Sequence, residues 1–144
     1  MSIKVGINGF GRIGRLAFRL LSQDKSFDVV GINDLTDAET LAYLLKYDTA
    51  QGRFLDNEVG FENKKLIVKD KSIPIFSIRN PQEIPWKELE VDVVLECTGF
   101  FADEEKAGLH LEAGAKKVVI SAPAKGNVKT VVYNVNEDIL TGGE

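Results

Sequence analysis

The chain has 144 residues, 44% hydrophobic and 28% charged, the balance of a soluble globular domain long enough to bury roughly two-thirds of its unfolded surface. A formal net charge of −4 argues against nucleic-acid and anionic-membrane binding, both of which need a basic face. Met1-Ser2 leads straight into an apolar strand, no apolar run approaches the ~18 residues of a membrane span, and one cysteine excludes an internal disulfide framework, so no signal peptide and a cytoplasmic setting are expected.

Ile3, Val5 and Ile7 form an apolar run suited to a buried parallel strand. It empties into Gly9-x-Gly11-x-x-Gly14, and Ile13, Leu16, Ala17, Leu20 and Leu21 then recur at helical period, predicting one apolar face that includes Ile13. The glycines therefore stand at a strand-to-helix turn. Gly9 allows the tight turn, Gly11 lets a pyrophosphate approach the backbone, and Gly14 lets helix and strand pack closely. The helix N-terminus adds free N–H groups and a positive dipole end. A second strand, Val29-Val30-Gly31-Ile32-Asn33-Asp34, ends in a carboxylate twenty residues after Gly14, where an acid is expected to grip the adenosine ribose. That same charge would repel a 2′-phosphate and favours NAD over NADP; a turn or cap Asp is the structural alternative.

Thr36 with Glu39 has capping-box spacing, and Ala38, Leu41, Ala42 and Leu45 predict a helix ending near Tyr47-Asp48. Short apolar runs follow, with Lys69-Asp70-Lys71-Ser72 predicted as a hairpin turn between Leu66-Ile67-Val68 and Ile73-Pro74-Ile75. Pro74 suggests that at least one strand of this antiparallel excursion lies on an edge. Pro81 and Pro85 mark a loop that Trp86 is expected to pack down. Val91 to Cys97 reads as another buried strand, Asp103-Glu104-Glu105 as the start of a helix closed by Gly114, Lys117 to Ser121 as a further strand, and Thr130-Val131-Val132-Tyr133 as a last short one. The alternation predicts an α/β fold, a doubly wound, mostly parallel Rossmann-type sheet with a small antiparallel insertion around residues 52–78. Residues 1–144 read as one dinucleotide-binding domain without repeats or linkers.

Asn8-Gly9-Phe10-Gly11-Arg12-Ile13-Gly14-Arg15, Ile32-Asn33-Asp34-Leu35, Tyr47-Asp48-Thr49, Cys97-Thr98-Gly99-Phe100-Phe101 and Ser121-Ala122-Pro123 together resemble glyceraldehyde-3-phosphate dehydrogenase. The resemblance runs from the first strand to the last residue but covers only the amino-terminal, NAD-binding half of that family. It implies that the catalytic domain, with its cysteine nucleophile and histidine, is absent from this chain, which is expected to be inactive alone. The parent enzyme would oxidise glyceraldehyde 3-phosphate with NAD and phosphate, as a homotetramer. A relative acting on another phosphorylated aldehyde, such as erythrose 4-phosphate, would share these motifs, and a non-catalytic nucleotide-binding or assembly module is a further alternative. Gln51 stands where many relatives carry histidine, and no role follows for it.

The resemblance implies that the backbone N–H groups of Arg12 and Ile13 meet the pyrophosphate. The Arg12 guanidinium reads equally as phosphate-facing or solvated, and the Ile13 side chain reads as core. Asn33 and Leu35 would line the adenosine site, Leu35 offering no donor to a 2′-phosphate. Thr98, Gly99, Phe101 and Ser121, at strand C-terminal ends, would surround ribose and adenine, with Arg79 near the adenine. Taken alone, Thr98 and Ser121 also read as turn-forming hydroxyls. Cys97, in an apolar strand beside Glu96 with no cation near it in sequence, reads as a small buried hydrophobe rather than a nucleophile. His110, mid-helix and without metal-ligand spacing, reads as a surface or packing residue.

Overall fold

A computed structural model describes residues 1–48, 51–55 and 58–144. Thr49 and Ala50, within the Tyr47–Gln51 stretch quoted above, and Asp56 and Asn57, within the insertion, lie outside the described residues. The element order is β1 (Ile3–Asn8), α1 (Arg12–Leu21), β2 (Phe27–Asn33), α2 (Ala38–Lys46), β3 (Tyr47–Asp48), β4 (Gly52–Arg53), β5 (Val59–Glu62), β6 (Lys65–Val68), β7 (Lys71–Phe76), β8 (Val93–Glu96), α3 (Glu104–Ala107), α4 (Leu109–Glu112) and β9 (Lys117–Ile120). Short 3₁₀ turns cover Pro81–Glu83 and Glu137–Ile139. No helix among the described residues is long and apolar enough to cross a membrane.

The sheet order is β5-β6-β7-β2-β1-β8-β9. Pairs β7–β2, β2–β1, β1–β8 and β8–β9 are parallel, as expected of a doubly wound sheet, and β5–β6–β7 are antiparallel. The insertion thus continues the main sheet, and only the β3–β4 ribbon is separate. One strand of the insertion, β5, is an edge strand of the sheet, as expected, although Pro74 itself lies on β7, between β6 and β2. The proline is tolerated because pairing with β2 begins only at Ile75, leaving the side of Pro74 away from β6 open. The hairpin turn is shorter than expected: Val68 faces Lys71, and Lys69 takes φ +56°.

Alternation along β1 sends Val5 and Ile7 to one face of the sheet and Gly6 and Asn8 to the other. The first face carries α1 and α2 over a core of Val5, Ile7, Phe18, Ile32, Leu41 and Leu45. The second packs Trp86 with Ile84, Val91, Val94, Ala113 and Ala115. Trp86 is fully buried, as its anchoring role requires. It lies flat on paired glycines: a Cβ on Gly6 would come within 2.6 Å of the indole, and one on Gly31 within 3.3 Å.

Ala38, Leu41, Ala42 and Leu45 all face the core, as their spacing predicts. Three other expectations are corrected. The predicted α1 face is rotated: Gly14 and Phe18 are buried, while Ile13 is 56% and Leu20 69% exposed. A Cβ on Gly14 would sit 2.2 Å from the Gly9 carbonyl, so the tightest contact of the helix belongs to a residue with no side chain and escapes any hydrophobic pattern. The α2 cap is Asp37, which accepts the Thr40 N–H at 2.8 Å, and Thr36 stands one residue too early. Residues 130–133 form no strand; Asn136 instead receives the Val132 N–H and donates to the Thr130 carbonyl, meeting the backbone needs a ladder would have met. The helix from Asp103 is two short pieces, α3 and α4, with Gly108 between them, and Gly114 closes it at φ +111°.

Candidate functional site

Every residue singled out for the cofactor lies at or just beyond the C-terminal end of a parallel strand, or at the start of α1. Gly9, at φ +90°, begins the turn after β1, and a Cβ there would strike the Thr98 backbone at 2.8 Å. Gly11 is different: a Cβ would meet nothing within 4 Å. Its missing side chain leaves open space directly before α1. That helix has no side-chain cap, and the N–H groups of Arg12, Ile13 and Gly14 have no carbonyl four residues back within the helix. Arg12 and Ile13 are both exposed.

The β1 and β2 loops are joined by Asp34, whose Oδ2 accepts the Phe10 N–H at 2.7 Å and whose Oδ1 accepts the Thr36 N–H at 2.9 Å. A carboxylate has about four acceptor positions, so two remain for a vicinal diol. Asp34 is half-buried, with Leu35 exposed beside it. Asn33 is buried, and its amide faces inward: Nδ2 donates to Asn8 Oδ1 and the Ile78 carbonyl, both at 2.8 Å, and Oδ1 accepts the Ile78 N–H at 2.9 Å. Its side chain is committed to the scaffold, and the Gly9 N–H donates to its carbonyl. Arg79 is exposed and follows the tethered Ile78, which places it on the same edge of the sheet.

Thr98 is half-buried and Gly99 exposed at φ +79°, with Phe101 half-buried and Phe100 80% exposed beyond it. Thr98 Oγ1 donates to Glu96 Oε2 at 2.7 Å and accepts the Phe100 N–H at 3.1 Å. Ser121 is exposed, and its N–H is held by the Glu96 carbonyl. The half-buried Cys97 has its thiol pushed up by burial; the Ser121 hydroxyl partly offsets this and the Glu96 charge adds to it. That is the opposite of what a thiolate nucleophile needs. Among the described residues no cluster of His, Cys, Asp and Glu could hold a metal.

A group not foreseen as a unit lies directly beneath, and it places His110, read as a surface or packing residue, in the interior. Asn33, Asn8 and Glu96 occupy one register row across β2, β1 and β8, all buried, and His110 from α4 joins them fully buried. The available signal was three polar residues each ending an otherwise apolar strand. Burial alone would push the Glu96 carboxyl up. Hydrogen bonds from His110, Thr98 and Asn8 together outweigh it and hold the group below the usual carboxylate range.

The open space at Gly11, the uncapped α1 and the two free acceptor positions on Asp34 fit a dinucleotide: pyrophosphate on the helix, adenosine ribose on the carboxylate. Among the described residues one surface cavity lies between α2 and β5, and a larger one between β9 and the carboxy-terminal segment reaches the strand ends at Ser121. The candidate residues lie along the strand ends, the place where this fold class takes ligands.

Residues 3–104 match the family described as glyceraldehyde 3-phosphate dehydrogenase, NAD binding domain. Among curated proteins, the chain is 55% identical to the glyceraldehyde-3-phosphate dehydrogenase of Clostridium pasteurianum over 141 residues, covering 98% of this chain and 42% of that protein. Identity to the protein of the same name from Geobacillus stearothermophilus is 54% over 138 residues, covering 96% of this chain and 41% of the relative. The chain therefore spans about two-fifths of the length of the relatives it matches.

Proposed function

The chain belongs to the glyceraldehyde-3-phosphate dehydrogenase family through its NAD-binding domain, and on that premise we propose that it is the cofactor-holding half of a phosphorylating dehydrogenase of glyceraldehyde 3-phosphate. The single observation carrying this reading is the join between the glycine turn and Asp34. One short turn presents the unpaired N–H groups of α1, and the carboxylate bonded to that turn keeps two acceptor positions free.

In this reading the N–H groups of Arg12 and Ile13 bind the pyrophosphate, with Gly9, Gly11 and Gly14 permitting its approach. Asp34 accepts from the adenosine ribose hydroxyls. Leu35, Arg79, Thr98, Gly99 and Phe101 border the adenosine, and Ser121 continues the edge; Asn33 acts by holding the Gly9 and Ile78 backbones. NAD, when bound, supplies the hydride acceptor. The residues of this chain bind and orient, and the raised Cys97 thiol leaves the covalent step to residues outside it. A homotetrameric, cytoplasmic whole protein belongs to the same reading and is supported by family membership alone.

The test is calorimetric titration of the folded 144-residue chain with NAD, alongside an assay with glyceraldehyde 3-phosphate and phosphate. We expect saturable NAD binding without turnover. Absence of binding by cooperatively folded protein would overturn the cofactor reading, and turnover would overturn the division of labour.

A further inference from the structure

We infer that Glu96 is a positioning residue for the nucleotide site, acting through Thr98, an assignment that rests on the dinucleotide reading above. Its carboxylate is 1% exposed and fully engaged by four donors. Oε1 accepts from Asn8 Nδ2 at 2.6 Å and from His110 Nε2 at 2.8 Å; Oε2 accepts the Thr98 N–H at 2.9 Å and the Thr98 hydroxyl at 2.7 Å.

The direction of every bond follows from one that has no choice. An indole N–H only donates, and Trp86 Nε1 points at His110 Nδ1 at 2.9 Å. Nδ1 must therefore carry the lone pair and Nε2 the hydrogen, which it gives to Glu96. The 3.4 Å approach of Asn8 Nδ2 to His110 Nε2 then joins two donors and is a contact, not a bond. His110 is a neutral, locked tautomer, and its link to Glu96 is a hydrogen bond rather than an ion pair.

A buried negative charge without a counter-ion is costly, and a wholly apolar row in place of the network would serve stability as well. What the carboxylate supplies is polarity at the rim. Thr98 spends its only hydroxyl hydrogen on Glu96, so toward the crevice it can offer nothing but lone pairs, one of which takes the Phe100 N–H. The hydroxyl can meet a ligand donor, such as a sugar hydroxyl or an exocyclic amine, and cannot donate to a phosphate oxygen. Through the same carboxylate, Asn8 ties this loop to β1 at the foot of the glycine turn.

The experiment is a double-mutant cycle on NAD affinity with Glu96→Gln and Thr98→Val, each variant first checked for cooperative melting. Glu96→Gln should weaken NAD about ten- to a hundredfold, because an amide cannot accept from all four donors. With Thr98→Val already present, Glu96→Gln should add less than about threefold. Independent, multiplicative losses would overturn the assignment, as would unchanged affinity in Glu96→Gln. Failure of the wild-type chain to bind NAD would instead overturn the dinucleotide reading, before any variant is made. Should Glu96→Gln not fold, the cycle is run with Glu96→Asp, which keeps the charge and withdraws it from Thr98. Two measurements need no variant. As the chain's only histidine, His110 should show an unprotonated Nδ1 and a protonated Nε2 in its ¹⁵N spectrum. The Thr98 amide should exchange slowly with NAD bound. A protonated Nδ1, or solvent-limited exchange at Thr98, would overturn the network.

Discussion

At the scale of single residues, the cofactor choice proposed for Asp34 can be tested directly. On that proposal Asp34→Gly removes two charge-assisted bonds to the ribose and one repulsion toward a 2′-phosphate, along with the bonds from the Phe10 and Thr36 N–H groups. NAD affinity is expected to fall by ~1.5–4 kcal/mol, while NADP affinity holds or improves. Titration of wild type and variant with each cofactor checks this; parallel losses would remove Asp34 from the ribose, since a folding defect, or release of the glycine turn that Asp34 tethers, weakens both alike. The place of Asp34, at the end of β2 beside the glycine turn, was legible from its spacing to the glycines. Asn33 was not. Its neighbour in sequence faces the crevice, but strand alternation turns the Asn33 amide inward onto Asn8 and Ile78, a commitment visible only once β7 is placed beside β2.

At the scale of elements, the seating of α1 decides where its free N–H groups point. Gly14→Ala would put a methyl group 2.2 Å from the Gly9 carbonyl, and the helix must withdraw. We expect a loss of about 1–3 kcal/mol of stability, measured by urea unfolding. NAD affinity should fall as well, because the N–H groups proposed to bind the pyrophosphate move with the helix; retention of full affinity would separate seating from binding. Elements whose packing follows side-chain pattern were readable, as α2 was from Ala38, Leu41, Ala42 and Leu45. Those governed by an absent side chain or a long-range partner were not. The face of α1 is centred on Gly14, the cap of α2 depends on which of two adjacent oxygens reaches Thr40, and Asn136 satisfies the backbone of residues 130–132 where a strand was expected.

At the scale of the whole molecule, the buried Glu96 makes stability depend on acid. Its folded-state pKa lies below its ordinary 4.5, so its contribution is complete above that value and is lost as pH falls through the folded one. Asp92 and Asp103, lowered by their hydrogen bonds to Lys4, Lys116 and Lys106, act in the same direction. Denaturant unfolding should therefore show stability declining from about pH 5 downward, with a shallower decline in Glu96→Gln. An equal slope in that variant would show that Glu96 titrates alike folded and unfolded. The placing of β1 has a kinetic consequence. Asn8 pairs with Asn33 across 25 residues of chain and with Glu96 across 88. Closing the longer loop costs about 1 kcal/mol more chain entropy than closing the shorter one. The delay matters more than the energy. At synthesis rates of about 5–20 residues per second, the ribosome needs roughly 4–18 s to add the 88 residues that separate the two partners. Through that interval β1 has one bare apolar edge, so the segment that carries the glycine turn stays exposed to aggregation and to chaperones until β8 arrives.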